Sequence, residues 1–128
     1  MKIELEKVQT DAAPRAIGPY SQAIRCEDWV FVSGQIPLDP ATGILVGGDF
    51  AQQVGRVLEN IDAVLRAAGC GRANVVKTTA YLTDLGRFAE FNEIYATFFG
   101  HHRPARAVVG VAALPRGAQV EVEAVAVR

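Results

Sequence analysis

The sequence is short of the residues that advertise common chemistries. It holds two cysteines, Cys26 and Cys70, far apart and in neither a CxxC pair nor a zinc spacing. Both read as unpaired structural thiols in a reducing compartment. No apolar run approaches the ~18 residues of a membrane span. The opening stretch MKIELEKVQTDAAP alternates charged with apolar residues and lacks the apolar centre of a signal peptide. The expected compartment is therefore the cytoplasm, with no membrane partner. Charge of neither sign dominates: 13 Lys and Arg face 14 Asp and Glu, for a net charge of −1. The basic residues are scattered, and the absence of a basic stripe argues against nucleic acid or anionic lipid as a partner. Neither a phosphate-cradling glycine loop nor a dinucleotide fingerprint occurs. Any chemistry is thus expected to use side chains, backbone and water, with no cofactor and no metal.

What is present is a globular composition, half hydrophobic and 21% charged. Its 128 residues suffice for one core, and with no repeat or linker they read as a single domain spanning 1–128. KIELEK, residues 2–7, suits a short strand with Ile3 and Leu5 on one face. PRAIGPY, 14–20, carries two prolines and a glycine and reads as an irregular loop. AIRC and WVFVSG, separated by Glu27-Asp28, form a hairpin pattern. From Asp49 the period changes. Asp49 and Gln52 stand at capping-box spacing, and Phe50, Val54, Val57, Leu58, Ile61, Val64, Leu65 and Ala68 recur at steps of three and four until Gly69. NVVKTTAYL, 74–82, is a strand. A second helix is expected over 85–99, with Asp84 as cap, Gly100 as stop and a stripe of Phe88, Phe91, Tyr95 and Phe98. A strand follows Arg106, then the turn LPRGAQ and the closing strand VEVEAVAV.

The order ββ(β)αβαββ predicts an α+β fold of two layers, one mixed six-stranded sheet with both helices on one face, because crossovers between parallel strands are right-handed. The other face is left bare. In 74–82, Val76, Ala80 and Leu82 alternate with Val75 and Tyr81, so neither face reads as hydrophilic. Such a face is expected to be buried by association between copies.

Arg106 is the conspicuous residue, a guanidinium one step before the β-branched run AVVGV. It cannot escape burial by losing its proton. It pairs with Glu121 or Glu123, which share one side of the last strand, or it holds a ligand carboxylate in bidentate fashion while a glutamate serves as base on water. The adjacent His101 and His102 have no third ligand nearby and read as a loop at a helix C-terminus. Ser33 reads as a hydrogen-bonding strand-end serine, since no base accompanies it. Tyr20 is either a pocket-lining hydroxyl or a packing residue. Asn92 breaks the apolar stripe of the second helix, the usual mark of a surface position.

The blocks IGPYSQAI, FVSGQIPLDPATG, VLENIDAVL with AAG, VVKTTAYLTDL, FAEFNEIYATFF, RPAR and LPRGAQVEVEAVAV run in order from residue 17 to 127. In that combination the chain resembles the RidA/YjgF family of reactive imine and enamine deaminases. The resemblance implies a chorismate-mutase-like fold and a homotrimer in which the sheets form a central barrel, with sites in the clefts between subunits. It also implies hydrolysis of small imine or enamine 2-carboxylates, such as 2-aminoacrylate and 2-iminobutanoate, to 2-oxo acids and ammonia without a cofactor. Carried over by motif, Arg106 of PAR grips the substrate carboxylate and Glu121 of VEVE holds or activates the water. Tyr20 of GPYSQ, Ser33 of SGQ and Asn92 of FNEIY line or support the pocket. The chain departs from the best-known branch after PAR, where Ala107 and Val108 replace serine and cysteine. Val108 then belongs to the pocket wall, and with the short GHHRP loop it bears on substrate range. Two other readings stand beside this one: a trimer that binds small carboxylates or acts on a different enamine, and an endoribonuclease-like protein acting on RNA. A pI near 6.1 and the lack of a His-His or His-Lys pair suited to RNA cleavage weigh against the last.

Overall fold

In a computed structural model, which describes residues 2–128, Asp49 caps a helix over Phe50–Ala67 (α1) as the spacing requires. Its carboxylate accepts from the Gln52 amide at 2.9 Å, and the Gln52 side chain accepts from Asp49 N at 3.0 Å. The helix ends where Gly69 adopts φ +80°, a conformation that costs glycine least. Val54, Val57, Leu58, Ile61, Val64 and Leu65 form its fully buried stripe.

Six strands complete the other layer: β1 (Leu5–Val8), β2 (Ala23–Cys26), β3 (Trp29–Gln35), β4 (Val75–Leu82), β5 (Ala105–Gly110) and β6 (Val120–Val127). Their order is β1-β2-β3-β6-β4-β5, antiparallel throughout except for the parallel pair β4/β5. A second helix, α2 (Phe88–Phe99), links β4 to β5. This is the expected mixed six-stranded sheet with both helices on one face. The core lies between the layers, where Val120, Val122, Ala124 and Ala126 of β6 meet α1, which in turn packs on α2. No helix among the described residues is long and apolar enough to cross a membrane.

Three local expectations are corrected. The first strand is displaced to Leu5–Val8, leaving Ile3 outside it and both Ile3 and Leu5 exposed. Residues 85–87 form a separate 3-10 turn, capped by Asp84 through Gly86 N at 2.8 Å, and α2 starts only at Phe88. Phe88 is consequently exposed, while Phe91, Tyr95, Phe98 and Phe99 fill the core. In β4 a register shift between Val75 and Lys77 takes Val76 out to solvent. Val75, Thr78, Ala80 and Leu82 therefore face the helices, and the open side of β4 carries Lys77, Thr79 and Tyr81.

The open face is accordingly mixed in character. Trp29 and Phe31, 47% and 49% exposed, stack on it at 6.5 Å. Val125 and Val127 of the adjoining strand continue the apolar part, and Tyr81, Glu121 and Glu123 form a polar centre.

A composite candidate site

Strand alternation decides where Glu121 points. Its neighbours Val120 and Val122 are fully buried toward the helices, so Glu121 and Glu123 stand on the open face, opposite Tyr81 and Thr79 of β4. The two carboxylates differ in surroundings. Tyr81 donates its hydroxyl to Glu123, a bond that raises the Tyr81 pKa. Glu121 instead lies across Gly34, and a methyl group there would stand 2.1 Å from its Oε2. Burial pushes the Glu121 carboxyl above its ordinary pKa, and the negative charge of Glu123 adds to the shift.

This carboxylate borders a cavity of about 330 Å³ whose wall includes Arg15, Tyr20, Ser33, Gly34, Ile36 and Glu121. Two polar side chains shape that wall without entering it. Buried Gln22 fastens residues 10–14 by donating to the carbonyls of Thr10, Ala13 and Pro14 at 3.1, 3.3 and 2.8 Å and accepting from Thr10 N at 2.8 Å. Buried Asn60 of α1 donates to the carbonyls of Ile36 and Leu38 at 3.3 and 3.0 Å. Ser33 lies where the β3/β6 register slips between Val32 and Gln35. Its hydroxyl donates to the Ser21 carbonyl at 2.6 Å, tying β3 to the loop that carries Tyr20. The exposed Tyr20 hydroxyl accepts from Ile17 N at 3.2 Å.

Arg106 lies elsewhere. It falls inside β5 rather than before it, opposite Thr78 of β4. Thr78 faces the helices, where its hydroxyl meets the Tyr95 hydroxyl at 2.6 Å. The Arg106 guanidinium packs against the same helix. It donates to Asn92 Oδ1 at 2.7 Å and stands 4.9 Å from the Tyr95 ring and 5.5 Å from the Phe88 ring. With Asn92, Tyr95 and Arg103 it lines a recess of about 270 Å³. Asn92, expected as a surface residue, is half-buried and orients the guanidinium.

Arg106 and Glu121 thus occupy opposite faces of one sheet, with β4 between their strands. The alternative of an ion pair between neighbouring strands is overturned, because β5 and β6 are not neighbours. Within one chain the site residues fall into two groups: Tyr20, Ser33 and Glu121 on the first cavity, Asn92 and Arg106 on the second recess. Val108 shares the helix side of β5 with Arg106 but packs half-buried against the core, lining neither space. His102 Nε2 lies 2.6 Å from the Val75 carbonyl, and among the described residues no group of three metal-ligating side chains gathers. Both cysteines are free. Sequence reasoning missed Gly34, Gln22 and Asn60. Only Gly34 left a local trace, as the glycine at a strand end inside SGQ.

Residues 10–128 match the family described as Endoribonuclease L-PSP. Among curated proteins, the chain is 50% identical over 121 residues to the 2-iminobutanoate/2-iminopropanoate deaminase of Mus musculus, covering 94% of this chain and 90% of the mouse protein. It is equally 50% identical over 121 residues to a RutC family protein of Pyrococcus abyssi, covering 94% and 95%. Among solved structures, E. coli TdcF with bound serine superposes with a TM-score of 0.92 at 43% identity, covering 96% of this chain and 98% of that one.

Proposed function

This chain belongs to the YjgF/RidA family, and from that premise we propose that it is a hydrolase that deaminates small 2-imino and 2-enamino carboxylates to 2-oxo acids and ammonia. The observation that carries this reading is the Glu121 carboxylate. It is set over Gly34 at the edge of a small cavity, and burial makes it hold a proton more tightly than an ordinary carboxylate. A carboxylate whose proton affinity is raised in this way, at the edge of a cavity that admits water, suits the part of a base that takes a proton from water and later returns it.

In the proposed reaction Arg106 holds the substrate carboxylate by two parallel N–H···O bonds, with Asn92 fixing the plane of its guanidinium. An enamine such as 2-aminoacrylate first tautomerises to the imine, taking a proton from solvent at its methylene carbon and giving one up from its nitrogen. Water then adds to the imine carbon, its proton passing to Glu121 and the nitrogen taking up a proton. The resulting carbinolamine expels ammonia as its hydroxyl proton leaves, and the C=O bond of the 2-oxo acid forms. Glu121 returns its proton to the departing nitrogen, so the enzyme ends as it began. The imine carbon is already electrophilic, and positioning supplies most of what the reaction needs.

Glu121 and Arg106 reach one substrate only if different copies supply them, since a single chain holds them on opposite faces of its sheet. The proposed assembly is a homotrimer that buries the open face around Trp29, Phe31, Val125 and Val127 and sets the β5 edge of one subunit against the Glu121 cavity of the next. The serine held by TdcF, a small amino acid with a carboxylate, fits the expected ligand size. Free thiols and the absence of a membrane-spanning helix among the described residues suit a cytoplasmic role.

The test is a coupled assay. An amino-acid dehydratase generates 2-iminobutanoate in place, and 2-oxobutanoate release is followed with and without this protein. Acceleration proportional to protein concentration supports the reading. An unchanged rate at micromolar protein sinks it.

A further inference from the structure

The recess that holds Arg106 contains a second guanidinium. Arg103, Pro104 and Arg106 line it together with Asn92, Tyr95 and Ala96, and no acidic side chain is among them. Elsewhere on the surface Arg25, Arg66, Arg72 and Arg87 each reach a carboxylate. Among the described residues no ion pair reaches Arg103 or Arg106. Both are nevertheless held in place. Arg103 donates one terminal nitrogen to the Gly100 and His102 carbonyls just past the end of α2, and Arg106 donates to Asn92. Five N–H donors per guanidinium leave several free on each for a ligand. Burial raises the Tyr95 pKa, while the Thr78 hydrogen bond and then the charges of Arg106 and Arg103 pull it back.

Both guanidinia are exposed and line one recess without a carboxylate partner, so each is free to take up an anionic group there. A single carboxylate on Arg106 leaves the Arg103 charge unanswered. We propose that Arg103 is a specificity-determining residue that binds a second anionic group on the substrate, so that the protein takes 2-imino dicarboxylates in preference to monocarboxylates. This rests on the deaminase reading for the role of Arg106. Arg106 takes the carboxylate next to the imine carbon, and Arg103 takes the one at the far end of the chain. Water attack and ammonia release are unaltered.

Binding of the two product-like acids tests this without turnover. By calorimetry 2-oxoglutarate, a dianion, is expected to bind the wild-type protein at least about tenfold more tightly than 2-oxobutanoate, one charge-assisted contact being worth that much. Arg103→Gln should erase the preference and Arg103→Lys should restore part of it. In kinetics with imines generated in place, Arg103→Gln should lower kcat/KM for 2-iminoglutarate at least about tenfold more than for 2-iminobutanoate. Equal affinity of wild type for the two acids, or a preference that survives in Arg103→Gln, overturns the proposal. So does an equal loss on both imines, which would place Arg103 on the same carboxylate as Arg106. If 2-oxobutanoate binds and 2-iminobutanoate turns over while the dianion shows no advantage, this inference alone fails. If neither acid binds and the coupled assay shows no acceleration, the deaminase reading fails with it.

Discussion

The Glu121 carboxylate occupies the space that a side chain on Gly34 would need: a methyl group there would lie 2.1 Å from Oε2 and 2.9 Å from the carboxyl carbon. Gly34 sits in the irregular stretch of β3 opposite β6, so its missing side chain is what lets the carboxylate lie against the strand. Gly34→Ala should force the flexible Glu121 side chain aside while leaving the backbone in place. The expected result is a folded protein whose melting temperature changes little and whose kcat/KM falls about a hundredfold, the usual cost of displacing a reacting group by about 1 Å. Thermal melts and steady-state kinetics on the same preparation check this. Unchanged activity would show that the position of Glu121 does not matter.

The raised proton affinity of Glu121 sets a pH signature. In the proposed role of base it must be deprotonated, so the acid limb of kcat/KM should lie above the ordinary carboxylate range of about 4.3. Because the Glu123 charge contributes to the shift, Glu123→Gln should move that limb to lower pH while its amide oxygen still accepts from Tyr81. Glu121→Gln should remove about two to four decades of turnover yet keep carboxylate binding. The stability sign follows from the same shift. A carboxyl that binds its proton more tightly folded than unfolded adds stability at low pH and loses it as pH rises through the folded value. Melting temperature should therefore decline across that window in wild type and less so in Glu121→Gln. An acid limb that Glu123→Gln leaves in place would assign it to another group.

Much of this arrangement was legible from residue pattern, and the exceptions have physical causes. The Asp49–Gln52 cap and the eight-residue stripe specified α1 because local hydrogen bonds and one buried face agree there. Strand β4 was harder. Its apolar residues fit either register, and the shift near Val76 that selects one leaves no local mark. The second helix was read three residues too early because Asp84 caps a 3-10 turn with the same signature as a helix start. For the site, Arg106 and Glu121 stood out as charged groups beside apolar strands. Their separation by β4 did not, since strand order is a long-range property. Gln22 and Asn60 act on backbone carbonyls far along the chain, and no neighbour in sequence betrays them.

The geometry around Arg106 predicts a graded series. Arg106→Lys keeps a charge but not the planar fork, losing a charge-assisted hydrogen bond worth about 1.5–3 kcal/mol. That corresponds to about one to two decades of kcat/KM at 1.36 kcal/mol per decade. Arg106→Ala should be nearly inactive, with its far-ultraviolet dichroism unchanged. Asn92→Ala frees the guanidinium from its 2.7 Å contact without removing it, so the loss should be smaller, about three- to tenfold, and appear mainly in KM. Wild-type efficiency in a folded Arg106→Ala protein would confine this arginine to structure.

Because Arg106 and Glu121 lie on opposite faces of the sheet, two defective chains should repair each other. In the proposed ring of three, each cleft would take its arginine from one subunit and its glutamate from the next. Arg106→Ala subunits still carry an intact Glu121, and Glu121→Gln subunits still carry an intact Arg106. Each variant alone forms only broken clefts. After unfolding and refolding together in equal amounts, roughly a quarter of the clefts should join an intact arginine to an intact glutamate, the chance of two independent halves. Light scattering should report three chains per particle for each parent and for the mixture. Recovery to about one quarter of wild-type activity then identifies a shared site, because a site built within one chain is restored by no mixture of these variants. No recovery in co-refolded trimers would place both residues on separate tasks, and the composite cleft would have to be given up.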